Sequence, residues 1–182
     1  MKKYAKTYNE FINEERGIST SYIVNMPNIK PDDRIIMSGD KRIVPRNISQ
    51  KTVGYEENGI GFKPIGLWYA LGTEWIDWVR SNMPKWEQEY LHKLTINKSK
   101  ILDLDKYGWS KFEKKYGATN KYYLKNSDVV TDIAWDYVQD DGWYGIEIKN
   151  PWGDIGSWSR TWDISSGCIW DKRAIKSIKL LN

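Results

Sequence analysis

The sequence predicts a single α+β domain. Its 182 residues suit one well-buried core, whereas two domains would leave each half small and marginal. Strand-length apolar runs, some with alternating polarity, are interspersed with helical spacings only a few turns long. No internal repeat or low-complexity tract interrupts that pattern.

The chain changes character near residue 62. All 11 tryptophans lie beyond residue 67. Residues 1–62 carry Pro27, Pro31 and Pro45 and little apolar mass, so they read as an N-terminal extension or flap packed on a body formed by residues 63–182. A helix is expected near residues 7–16, followed by short strands at Tyr22-Ile23-Val24 and Arg34–Met37.

In the body, Gly66-Leu67-Trp68-Tyr69-Ala70 reads as a buried strand, and Gly72-Thr73 as a turn with an N-cap. Trp75, Ile76, Val79 and Met83 share one face of the helix that follows, which Pro84 stops. Tyr90–Ile96 alternates, with His92, Leu94 and Ile96 on the face expected to be buried. Lys100–Leu104 continues as a strand. Ser110 and Glu113 fit a capping box for a short helix in which Phe112 and Tyr116 lie one turn apart and Gly117 ends it. A further helix is expected from Thr131 or Asp132, with Ile133, Ala134, Tyr137 and Val138 on one face, closing at Asp140-Asp141-Gly142. Trp143–Ile148, Gly167–Trp170 and Ile175–Leu180 read as three more strands, the last two joined by a turn at Asp171-Lys172.

Composition narrows the chemistry. One cysteine, Cys168, excludes an internal disulfide and a cysteine-cluster metal site, and it fits a reducing, cytoplasmic setting. One histidine, His92, excludes a multi-histidine zinc site and leaves a triad dependent on that single residue. No apolar stretch approaches the roughly 20 residues of a spanning helix, and Met1-Lys2-Lys3 opens no signal peptide, so no membrane role is expected. A net charge of +4 helps to hold a phosphate-rich partner without demanding nucleic acid. The 11 tryptophans and 12 tyrosines offer flat surfaces with a polar edge, suited to a core, a stacking pocket or an adhesive face.

The order of these segments resembles the ADP-ribosyltransferase-like superfamily. The phrases that carry the resemblance are Gly66-Leu67-Trp68-Tyr69 with its helix, Lys100-Ile101-Leu102-Asp103-Leu104, Trp143-Tyr144-Gly145-Ile146-Glu147-Ile148, and Ile169-Trp170-Asp171 leading to Ile175-Lys176-Ser177-Ile178. They span about residues 62–182. The resemblance implies two small mixed or antiparallel sheets forming a cleft for NAD, with short helices. It implies NAD as a substrate and transfer of ADP-ribose to a macromolecule, protein or nucleic acid. Such proteins include toxins, viral or defence effectors and housekeeping enzymes.

In that family an acid stabilises the positive charge that develops at the anomeric carbon of the nicotinamide ribose, which a fixed carboxylate is suited to do. The family's usual acid position falls on Ser166, so the resemblance leaves the acid to Glu147 or Asp163, or else describes a silent member. Alternation along its strand points Glu147 away from Ile146 and Ile148, into a cleft. Trp68 and Tyr69 stand where a ring stacks on nicotinamide, and Lys63 where a cation holds a ribose or phosphate oxygen. Ser38, Arg34, Arg42 and Arg46 are further contacts for the cofactor or plain surface groups. The loop from Asn150 to Trp162 lies where members contact the acceptor, which assigns Trp152, Trp158 and Arg160 to acceptor binding. No metal is implied. The alternative reading is a non-catalytic, aromatic-rich module that holds single-stranded nucleic acid or a protein partner.

Overall fold

Alternating apolar residues build strands here, and one strand holds the rest together. In the computed structural model, which describes Ile23 and residues 26–50, 63–118, 130–151 and 158–182, that strand is β1, Arg34–Ser38. The helix expected over residues 7–16, and most of the Tyr22–Val24 run, lie outside the described residues. β2 is Leu67–Leu71, β3 Tyr90–Ile96, β4 Ile101–Asp103, β5 Gly117–Ala118, β6 Asp132–Ile133, β7 Gly145–Ile148, β8 Ser166–Ile169 and β9 Ile175–Leu180. Seven of them form one sheet in the order β4-β7-β8-β2-β1-β3-β9, and β5 pairs with β6 apart from it. The β4–β7 pair is parallel and the other pairs of the large sheet are antiparallel.

The helices are short: α1 Glu74–Asn82, α2 Leu104–Tyr107, α3 Trp109–Tyr116 and α4 Trp135–Asp140. The α+β class is as expected, and the sheet count is not. Two small sheets were expected, but β1 pairs with β2 on one side and β3 on the other, and so joins a four-strand group to the β3–β9 pair. The strand that does this comes from the segment read as an extension, so the sheet crosses the boundary drawn at residue 62.

The sheet is curled, for a reason of length. Ile96 in β3 connects to Ile101 in β4 through Asn97 and a 3-10 turn at Lys98–Lys100. That link reaches at most about 18 Å. Five strand spacings laid flat between β3 and β4 would need about 24 Å. Accordingly, Ile96, Ile101, Ile169, Tyr69, Leu94 and Ala174, drawn from both edges of the sheet, meet in one cluster on the inner face. The outer face carries Leu102, Ile146, Ile148 and Cys168, covered by α3, α4 and the turn Trp158–Thr161, and Ile35 and Leu91, covered by Ile76 of α1 and by Ile23.

Local expectations fail where a tertiary bond outbids a cap. Thr73 precedes α1 but its hydroxyl bonds the Asp77 side chain at 2.6 Å rather than a backbone N–H. Ser110 lies inside α3, which starts at Trp109 after Gly108. Glu113 does not close a capping box: its carboxylate accepts the Trp158 indole N–H at 2.7 Å. Ile133 is not helical, because Asp132 and Ile133 pair with Ala118 and Gly117; α4 starts two residues on, burying Trp135 and Val138 while Tyr137 stands exposed.

Candidate functional site

Side chains alternate across a strand, and in β2 this sends the two neighbouring aromatics to opposite faces. Tyr69 points into the curl and Trp68 joins the outer cluster. The sequence-predicted site residues are divided in the same way, into an inner group around Glu147 and an outer group around Trp68.

The inner group is a closed clasp. Glu147 lies in register with Gly167 of β8, and Gly167 with Tyr69 of β2. Gly167 leaves the space between them open: a Cβ there would stand 2.4 Å from the Tyr69 ring and hydroxyl. Through that gap the Tyr69 hydroxyl donates to Glu147 Oε2 at 2.8 Å. Arg34, from β1, reaches across with Nε to Oε2 at 2.6 Å and Nη2 to Oε1 at 2.8 Å. Tyr69 and Glu147 are buried. Burial works against the Arg34 charge, but the bonds and charge of Glu147 outweigh it and hold the guanidinium above its ordinary pKa. Burial first, then the Glu147 charge, pushes the Tyr69 hydroxyl well above the usual range for a phenol. Lys149 extends the clasp toward solvent, 2.7 Å from Asp103 and 3.7 Å from Glu147. Asp103 sits beside Glu147 in the parallel β4–β7 register.

The outer group runs from core to surface. Trp158 is fully buried among Trp109, Phe112, Trp135 and Trp162. Trp162 packs against Trp68 at 5.0 Å between ring centroids, and the Lys63 ammonium lies 5.4 Å from the Trp68 ring. Burial lowers the Lys63 pKa, partly offset by the charge of Asp163, which is itself exposed. The Trp162 indole N–H is buried and has no hydrogen-bond partner among the described residues. Ser166 of β8, in register with Ala70, is buried with its hydroxyl donating to the Ile164 carbonyl at 3.0 Å.

No protein-family model matches the chain, and no curated protein or solved structure matches it either.

The structure thus brings Lys63, Trp68 and Asp163 near each other on one face, with Ser166 buried on that same face beside Ala70, and Tyr69 and Glu147 together on the other. Trp158 cannot meet an acceptor as expected, because its ring is the hub of the outer core and its N–H is spent on Glu113. Arg160 belongs to the turn Trp158–Thr161, and Trp152 lies outside the described residues. His92 is buried, with Nε2 3.2 Å from the Lys41 carbonyl and no hydrogen-bond partner for Nδ1 among the described residues. Gly167 and the Asp103–Lys149 pair were missed. A glycine between strand residues that pair with a tyrosine and a glutamate is a signal only once the register is known. Among the described residues no cluster of three or more metal-ligating side chains occurs, and no helix is long and apolar enough to cross a membrane.

Proposed function

We propose that the chain is an NAD-dependent ADP-ribosyltransferase that modifies a macromolecular acceptor, working in the cytoplasm in the manner of a toxin or effector. The observation that carries this reading is the juxtaposition of Asp163, Lys63 and Trp68, three residues that segment order alone assigned to one NAD site. The packing of Trp162, the residue before Asp163, on the Trp68 ring and of Lys63 over that same ring draws the three near each other. Each supplies what the chemistry asks for. Trp68 is half-buried against the outer core and offers its remaining surface for the nicotinamide to stack on. Lys63 is a cation for the phosphates, and its partial desolvation strengthens each contact it makes.

In the transfer, the bond between nicotinamide and the anomeric carbon breaks, and nicotinamide departs with the bonding electrons. A nucleophilic oxygen or nitrogen of the acceptor bonds to that carbon and releases its proton to solvent. Asp163 stabilises the positive charge that builds up on the sugar ring between these events. Glu147 plays no part at the reacting atoms, since Arg34 and Tyr69 occupy both of its oxygens; it is a positioning residue that ties β7 to β1 and β2 across β8.

Incubation with labelled NAD and a cell lysate is expected to label a macromolecular fraction, whose sensitivity to nuclease or protease identifies the acceptor. Asp163→Asn is expected to abolish labelling with unchanged thermal stability, and Trp68→Ala to raise the KM for NAD. Wild-type protein that neither binds NAD nor labels any fraction overturns the reading.

A further inference from the structure

Along edge strand β4, on the far side of Asp103 from the Glu147 clasp, lies a basic strip interleaved with rings. A cavity of about 290 Å³ opens beside edge strand β4, lined by Lys98, Ser99, Asp103, Lys106, Tyr107 and Trp143. Three cation–ring pairs flank it. Lys111 stands 4.5 Å from the Tyr107 ring, and Tyr144, next to Trp143, is approached by Lys100 at 5.0 Å and Arg173 at 4.4 Å. The strip is assembled from the turn Lys98–Lys100, α2, α3, the start of β7 and the turn Lys172–Ala174.

Its charge is not cancelled locally. Among the described residues Lys98, Lys100 and Lys111 form no ion pair. Lys106 stands 3.7 Å from Asp103, whose carboxylate is held more closely by Lys149 at 2.7 Å. Arg173 is bound to Asp171 through Nε and Nη2, so it contributes its ring-stacked face more than its charge.

We propose that this strip binds single-stranded nucleic acid, with one base in the cavity and the adjoining phosphates on Lys98, Lys106, Lys100 and Lys111. Three features select this ligand. Cations spaced along a path between half-buried rings match the alternation of phosphate and base, and stacking serves every base alike. At about 290 Å³ the cavity lies just below the roughly 300–1,000 Å³ range of ligand pockets, room for one ring system and not for a dinucleotide. A base held within a duplex cannot enter it, whereas an unpaired base can. The proposal does not depend on NAD chemistry, and its test contains no NAD.

The experiment is fluorescence anisotropy of a labelled 12-residue oligothymidine with the full chain. Binding at 50 mM salt is expected to weaken by about 20- to 50-fold at 200 mM, as three or four phosphate contacts on a single strand dictate. Lys98→Ala with Lys106→Ala is expected to weaken binding at least tenfold and to reduce the log–log salt slope by about 1.4. Lys41→Ala with Lys85→Ala, which removes equal charge elsewhere, is expected to leave binding unchanged. Both double variants should keep the wild-type circular dichroism spectrum. No binding by the wild type, equal affinity for a duplex of the same length, or equal weakening by the control pair would each overturn the proposal.

Discussion

Glu147 shows how little a residue's identity says about its use. Alternation correctly separates it from Ile146 and Ile148, whose side chains join the outer core. What faces it depends on Arg34, 113 residues away, and that pairing has no local signature. The clasp makes a sharp prediction. Glu147→Ala leaves a largely covered guanidinium and a buried hydroxyl without their acceptor, and the cost is expected to be about 3–5 kcal/mol by urea denaturation. Glu147→Gln keeps an acceptor for Tyr69 and should lose less. Equal stability of wild type and Glu147→Ala would mean that the pair is not formed in solution. Trp158 teaches the complementary lesson: a tryptophan among glycines and small polar residues reads as an accessible loop residue, yet four ring neighbours and a carboxylate partner retain it in the core.

Strands proved more legible than helix ends. The runs at residues 66–70, 90–96, 143–148 and 175–180 all contain strands, because period-two burial is written into the residues that make them. Helix starts were misplaced at α3 and α4 because Glu113 and Ile133 found partners distant in sequence, which capping patterns cannot register. The sheet's unity was illegible for a similar reason: β1 is five residues long and its two neighbours are set by register alone. In β8 the absence of a side chain is itself functional. Gly167→Ala would bring a methyl group within 2.4 Å of Tyr69 and 2.6 Å of the Ile146 carbonyl oxygen. A loss of about 1–3 kcal/mol is expected, in the manner of an overpacked core. Adding Tyr69→Leu should return only part of it, since the backbone contact remains. Full recovery in the double variant would show that the tyrosine alone sets the limit.

The molecule as a whole carries a predictable acid response. Lys93, 2.5 Å away, and the Lys30 backbone N–H outweigh the burial of Asp33 and lower its pKa; Lys149 does the same for Asp103. Arg173 lowers that of Asp171. Each group binds a proton less readily folded than unfolded, where its pKa is about 3.9. Their stabilisation is therefore complete above that value and is lost as pH falls through the lower folded values. The urea midpoint is expected to fall as pH drops below about 4, and Asp103→Asn should flatten part of that decline. A midpoint independent of pH over this range would contradict the ion pairs.

The seating of β2 between β1 and β8 also orders events in time. On a ribosome, β2 is made roughly 100 residues before β8, about 5–20 s at the usual pace of synthesis. Through that interval one edge of β2 has no β-partner, and β3 likewise waits for β9. Unpaired strand edges recruit other chains. The nascent chain is thus a natural client for any factor that shields strand edges until residues 166–180 arrive.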